Sequence, residues 1–247
     1  MITRSRRNTT GRVNGHAVCS QSAMSEPLAE TRTAKLNRMY SELHGKFGAQ
    51  GWWPLYNPLT KQLEYHSGDF SYPKTEQQIF EIIVGTVLAQ RVTWKQAEVA
   101  LKRLAAANLL DEARVTNISV NTLAEFIHGC GFYNQKAATL KAVTEKWSTL
   151  KSRYKQMSVG ELRDEFLSVK GIGRESADCI LLYALSKPIF IIDEYARRFL
   201  KAEFDFEAKD YDACRIFIED NLERSVPLFQ EYHALIVEWG KRNRLRG

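Results

Sequence analysis

The chain has 247 residues, 44% hydrophobic and 26% charged, enough to bury the core of one large domain or two small ones and unlike a disordered or fibrous protein. Its longest apolar runs, 79–88 and 180–185, fall short of the roughly 20 residues that span a bilayer, so no membrane helix is expected. Net charge is +6, but residues 1–23 hold four arginines and no acid, leaving only +2 for the remainder, a mildly basic body that permits a nucleic-acid partner without requiring one.

Residues 1–30 are rich in Ser, Thr, Asn and Arg and lack apolar periodicity, so they read as a disordered basic tail, with Met24 as a second candidate start. Residues 31–247 read as one folded domain. The chain reads as mostly helical from Thr33 onward. Pro54 to Pro73 interrupts this with Asn-Pro, Ser-Gly and Tyr-Pro pairs, an insertion with room for a short hairpin. Apolar residues at helical spacing predict helices over Glu76–Gln90, Thr93–Ala107, Asn134–Leu150, Val159–Ser168, Arg174–Leu185, Glu194–Ala202, Tyr211–Leu222 and Pro227–Arg242. Gly129-Cys130-Gly131, Gly171-Ile172-Gly173 and Lys187-Pro188 mark loops between them. No alternation runs long enough for a sheet core, so the expected class is all-α. Cys19, Cys130, Cys179 and Cys214 are scattered with no Cys-x-x-Cys pair, so neither a metal site nor a cofactor is expected and the thiols read as reduced and intracellular.

The informative stretch is Phe166 to Leu185. A helix ends near Ser168, a tight turn carries Gly171 and Gly173, and a second helix starts near Arg174. Glycines on both sides of Ile172 let the backbone approach a partner closely while the isoleucine pins the turn to the core. Lys170 and Arg174 flank outward-facing backbone N–H groups with positive charge, which suits a phosphate oxygen. Gly-x-Gly alone also fits a plain helix corner.

The run Leu167–Ala177, followed by Ile189–Phe199, resembles the helix–hairpin–helix and aspartate motif of the endonuclease III-like DNA glycosylase superfamily. Gly131–Ala137 is similar to that superfamily's segment ahead of the hairpin. Ile82–Trp94 is similar to its early helix, and His233–Lys241 to its last core helix. With Gly51-Trp52-Trp53-Pro54, the nearest branch is the endonuclease III-related and 3-methyladenine DNA glycosylase group. The resemblance implies a two-lobed helical fold with a cleft between lobes, and excision of a damaged base from duplex DNA by a monomeric intracellular enzyme, in the cytoplasm or nucleoid if prokaryotic.

Breaking an N-glycosidic bond develops positive charge on the sugar, which a nearby carboxylate stabilises while it orients the attacking water. Asp193 is delivered by the apolar run Ile189–Ile192 to the start of a helix. From spacing alone it reads as an N-cap, whereas the resemblance makes it the catalytic carboxylate. The resemblance also assigns Gln90 to probing the duplex, Lys170, Gly171, Ile172, Gly173 and Arg174 to DNA binding, and Trp52, Trp53 and Trp94 to the base pocket. Tyr133 is placed with those tryptophans. Ordinary packing is the other reading of each tryptophan, and the default for Trp147 and Trp239. His128 and His233 read as structural.

Two departures bear on reaction type. Bifunctional members carry a Schiff-base lysine directly after the hairpin, where this chain has Glu175, so a monofunctional enzyme is expected. The position of the first cysteine of endonuclease III's four-cysteine cluster corresponds to about Arg244, close to the last residue, Gly247, so no cluster is expected. Leu235 stands where the 3-methyladenine branch places a pocket lysine. The alternatives are a glycosylase for a mismatched thymine or an oxidised base, and a non-catalytic DNA-binding protein.

Overall fold

Helix-start signals in the sequence fold as caps. In the computed structural model, which describes residues 30–243, Thr75 accepts from the Gln78 amide at the start of α2 (Glu76–Ala89). Capping boxes open α3 (Trp94–Ala106), through Thr93 and Gln96, and α7 (Val159–Leu167), through Ser158 and Glu161. Each cap satisfies amides that a helix leaves unpaired at its first turn. The expectations for the arginine-rich tail and Met24 lie outside the described residues.

Eleven α-helices and one two-stranded hairpin make up the described residues. α2 is the central element, buried from Ile79 to Leu88. It packs against α3 and against α6 (Tyr133–Leu150), which in turn meets α4 (Glu112–Asn117) and α5 (Val120–Phe126). A second group gathers on α11 (Val226–Arg242): α1 (Arg32–Phe47) and α9 (Glu194–Phe204) lie against it, and α10 (Tyr211–Glu219) follows α9. α7 and α8 (Arg174–Cys179) form the helical hairpin. No helix among the described residues is long and apolar enough to cross a membrane.

The structure differs from the periodicity in three places. α4 and α5 were not expected. Arg174–Leu185 is not one α-helix: after Cys179 the chain widens into a π-helical turn, Ile180–Ala184, where Leu185 N–H bonds to Ile180 O (3.1 Å). The Pro54–Pro73 insertion does hold a hairpin, β1 (Leu55–Asn57) paired antiparallel to β2 (Gln62–Glu64).

That hairpin is anchored by a buried carboxyl group. Glu81, on α2, accepts the Tyr56 amide at 2.5 Å, and burial pushes its carboxyl up to about 7. The folded state thus holds this proton more tightly than the unfolded chain. Stability should fall as pH rises from about 4.5 to 7, by about 3 kcal/mol at most, and then level off. Glu81→Gln keeps the acceptor and removes the charge. Its melting temperature should match wild type near pH 5 and exceed it at pH 8. A variant no more stable at pH 8 would contradict the assignment.

Candidate active site

The hairpin is locked from behind. Asp178, fully buried on α8, takes a two-pronged bond from Arg163 on α7 (2.7 and 3.2 Å), and Arg163 also reaches Asp212 on α10 at 2.9 Å. Burial pushes the Asp178 carboxyl up, and the guanidinium opposes it. A planar fork facing a carboxylate fixes the angle between two helices better than a point charge would. Gly171 takes φ +96°, and a Cβ there would collide with the Thr139 hydroxyl on α6, so the turn seats against α6 only as glycine. Ile172 is buried as the pin, while Lys170, Gly171, Gly173 and Arg174 are exposed. Arg174 is not a free cation: it contacts Asp210 (3.3 Å) and Asp212 (3.4 Å). Such half-exposed pairs contribute little and exchange readily for another anion.

Gln90, at the end of α2, donates to Gly171 O (3.0 Å) and Ser176 Oγ (2.9 Å), so its amide nitrogen is engaged with the hairpin. Beside it the chain turns through Arg91 at φ +53°, and opposite stands Phe132 at φ +59°. Gln90, Arg91, Phe132 and the hairpin turn line one open groove of about 590 Å³. Phe132 is 55% exposed. A large ring held in solvent on a left-handed backbone is costly. Nothing in the sequence marks it out.

The three tryptophans converge. Trp94 meets Trp52 at 4.8 Å and Trp53 at 5.3 Å between centroids, Trp52 and Trp53 lie 5.5 Å apart, and Tyr65 edges Trp52 at 5.5 Å. All are near edge-on, the favoured arrangement for ring quadrupoles. Two buried carboxylates hold the segment that carries the pair: Glu231 accepts the Gln50 amide (2.7 Å) and Glu81 the Tyr56 amide. Leu235 is fully buried. Tyr133 does not join this cluster. It opens α6, and its ring meets His128 (4.8 Å) in a separate hollow with Arg103 and Glu125. The left-handed turn at Phe132 presents Phe132 to the hairpin groove and sends Tyr133 the other way. Trp147 and Trp239 are core residues.

Asp193 sits where these parts meet. Its Oδ1 caps α9, accepting the Ala196 amide at 2.7 Å. The other oxygen, Oδ2, lies 3.5 Å from His233 Nε2 on α11. His233 Nδ1 is 3.0 Å from the Tyr183 hydroxyl, which is also 3.1 Å from Gln230 O, and the Tyr183 ring edges Trp53 at 5.6 Å. The aromatic cluster is thus continuous with the carboxylate. Glu175, in the first turn of α8, has its carboxyl raised by burial and then by the charge of Asp193. Among the described residues, four buried side-chain nitrogens lack a well-formed hydrogen bond, and three of them, Trp53 Nε1, Trp94 Nε1 and His233 Nε2, belong to this one cluster. Native proteins leave few such groups. His233, read from sequence as structural, stands beside the carboxylate instead.

Residues 84–223 match the HhH-GPD superfamily of base excision DNA repair proteins. A Methanocaldococcus jannaschii protein provisionally named a DNA repair glycosylase is 33% identical over 221 residues, covering 87% of this chain and 91% of the relative. The Helicobacter pylori 3-methyladenine DNA glycosylase MagIII, solved bound to 1,N6-ethenoadenine, superposes with a TM-score of 0.66 at 26% identity, over 88% of this chain and 100% of that one. An endonuclease III solved as a trapped covalent intermediate with DNA superposes with a TM-score of 0.63 at 16% identity, over 87% of this chain and 89% of that one, a likeness of fold.

Proposed function

The chain belongs to the HhH-GPD superfamily of base excision DNA repair proteins, and on that premise we propose that it is a monofunctional glycosylase hydrolysing the N-glycosidic bond of an alkylated purine in duplex DNA. The observation that carries this reading is the junction at Asp193, a carboxylate with one oxygen on a helix cap and the other beside His233, contiguous through His233 and Tyr183 with three tryptophans.

A phosphate of the damaged strand rests on the exposed turn amides beside Lys170, with Arg174 trading its acidic partners for it. Phe132 stacks in the gap left when the base is extruded, with Gln90 and Arg91 alongside. The extruded base enters the tryptophan cluster. As the C1′–N bond breaks, its electron pair leaves with the base, and Asp193 stabilises the positive sugar. Water bonds to C1′ and gives its proton to Asp193. An alkylated purine that carries positive charge departs as a neutral base and needs no acid at the leaving group, while π faces hold its cationic ring. The apolar Leu235 leaves discrimination to stacking.

Glu175 cannot form a Schiff base. Lys136, which lines the same groove, has its amine bound to Leu88 O (2.7 Å) and Cys130 Sγ (3.3 Å), and it is buried, so it does not replace the missing nucleophile. Borohydride added during turnover should therefore trap no covalent protein–DNA adduct. A strong trapped band would show that an amine attacks the sugar and would overturn the monofunctional reading.

A further inference from the structure

Of the three nitrogens Trp53 Nε1, Trp94 Nε1 and His233 Nε2, His233 Nε2 is the one that faces a carboxylate. The hydrogen-bond inventory decides what it presents there. Tyr183 has one proton, and its oxygen lies within reach of Gln230 O, which only accepts, and of His233 Nδ1. If the phenol donates to Nδ1, the neutral ring carries its own hydrogen on Nε2. A carboxylate oxygen only accepts, so the ring nitrogen that faces it is the one that carries the hydrogen, and Nδ1 accepts from the Tyr183 hydroxyl. That arrangement places an N–H opposite Asp193 Oδ2.

We propose that His233, held by Tyr183, is a positioning residue that fixes the Oδ2 oxygen of Asp193 in the orientation in which it meets the sugar. Oδ1 is already held by the Ala196 amide, and a donor 3.5 Å from Oδ2 restrains the second oxygen as well. Neither His233 nor Tyr183 needs to touch DNA. The effect should therefore fall on the chemical step and spare binding.

The test is single-turnover release of labelled methylpurine from duplex DNA methylated with tritiated dimethyl sulfate, beside duplex affinity measured separately. His233→Leu fills the space without a donor and should slow release roughly 30- to 300-fold, with affinity changed less than about 3-fold. His233→Gln offers an amide N–H and should recover at least about 10-fold of that loss. Tyr183→Phe keeps the ring packed on Trp53, removes the hydroxyl, and should slow release by roughly 5- to 20-fold. Unimpaired release by His233→Leu, a glutamine variant no faster than the leucine one, or a Tyr183→Phe enzyme at wild-type rate would each overturn the proposal. Should His233→Leu fail to fold, the glutamine and phenylalanine variants decide it: Tyr183→Phe slowed with affinity intact supports it, and both at wild-type rate overturn it. The inference rests on Asp193 being the catalytic carboxylate. Activity in Asp193→Asn would sink that reading, whereas an inactive Asp193→Asn beside an unimpaired His233→Leu would sink only the positioning role.

Discussion

Asp193→Asn should lower the rate of base release by roughly a thousandfold while leaving duplex affinity within a few-fold. Asparagine is as good a cap as aspartate, so its side-chain oxygen keeps the Ala196 amide and α9 stays anchored. What is lost is the negative charge that meets the developing cation on the sugar and the base that takes the proton from water. In the proposed reading, duplex binding rests on the hairpin turn and its flanking cations, which the substitution does not reach. Single-turnover kinetics beside an affinity measurement on undamaged duplex separate the two. If the variant turned over near the wild-type rate, Asp193 would be a cap and nothing more.

Trp94→Ala should reduce kcat/KM on an alkylated purine by about 10- to 100-fold, because stacking on one aromatic face is worth roughly 1–3 kcal/mol. Trp94 makes the shortest ring contact of the cluster, 4.8 Å to Trp52, and also meets Trp53, so its loss opens the cluster. The capping box of α3 depends on Thr93 and Gln96 and survives the change. Affinity for undamaged DNA, and its dependence on salt, should barely move, since that term comes from cations on phosphate. A variant that lost duplex affinity in step with kcat/KM would place Trp94 in the framework of the domain and not in the base pocket.

The sequence made the long helices legible because three or more turns repeat their apolar spacing, as in α2 and α11. α4 and α5, with six and seven residues, are too short to show a period. The hairpin could be read from Gly171 because a glycine required by close approach is unlike its neighbours, and the Thr139 contact supplies the reason, whereas a Cβ at Gly173 would meet open space. Asp193 was legible as a cap from its place at the start of a helix, and the cap is real. The environment of Arg174 was not: its acidic partners lie 36 and 38 positions away, on the cap and first turn of α10. Tyr133 was misplaced because the left-handed backbone at Phe132 exchanges which of two adjacent aromatics faces the groove, and nothing in the composition of that segment announces it. His233 lies 40 positions from Asp193, and a lone histidine on an apolar helix carries no signal until folding brings it within 3.5 Å of the carboxylate.

The most direct test is a panel of duplexes, each holding one lesion, incubated with the enzyme and resolved with and without alkali. The account predicts free methylated purine from the alkylated duplex, an intact strand before alkali, and a break at the lesion after it. Release of thymine opposite guanine, or of an oxidised base, with the alkylated duplex untouched would contradict the substrate assigned to the tryptophan cluster, and strand breakage before alkali would contradict the hydrolytic mechanism.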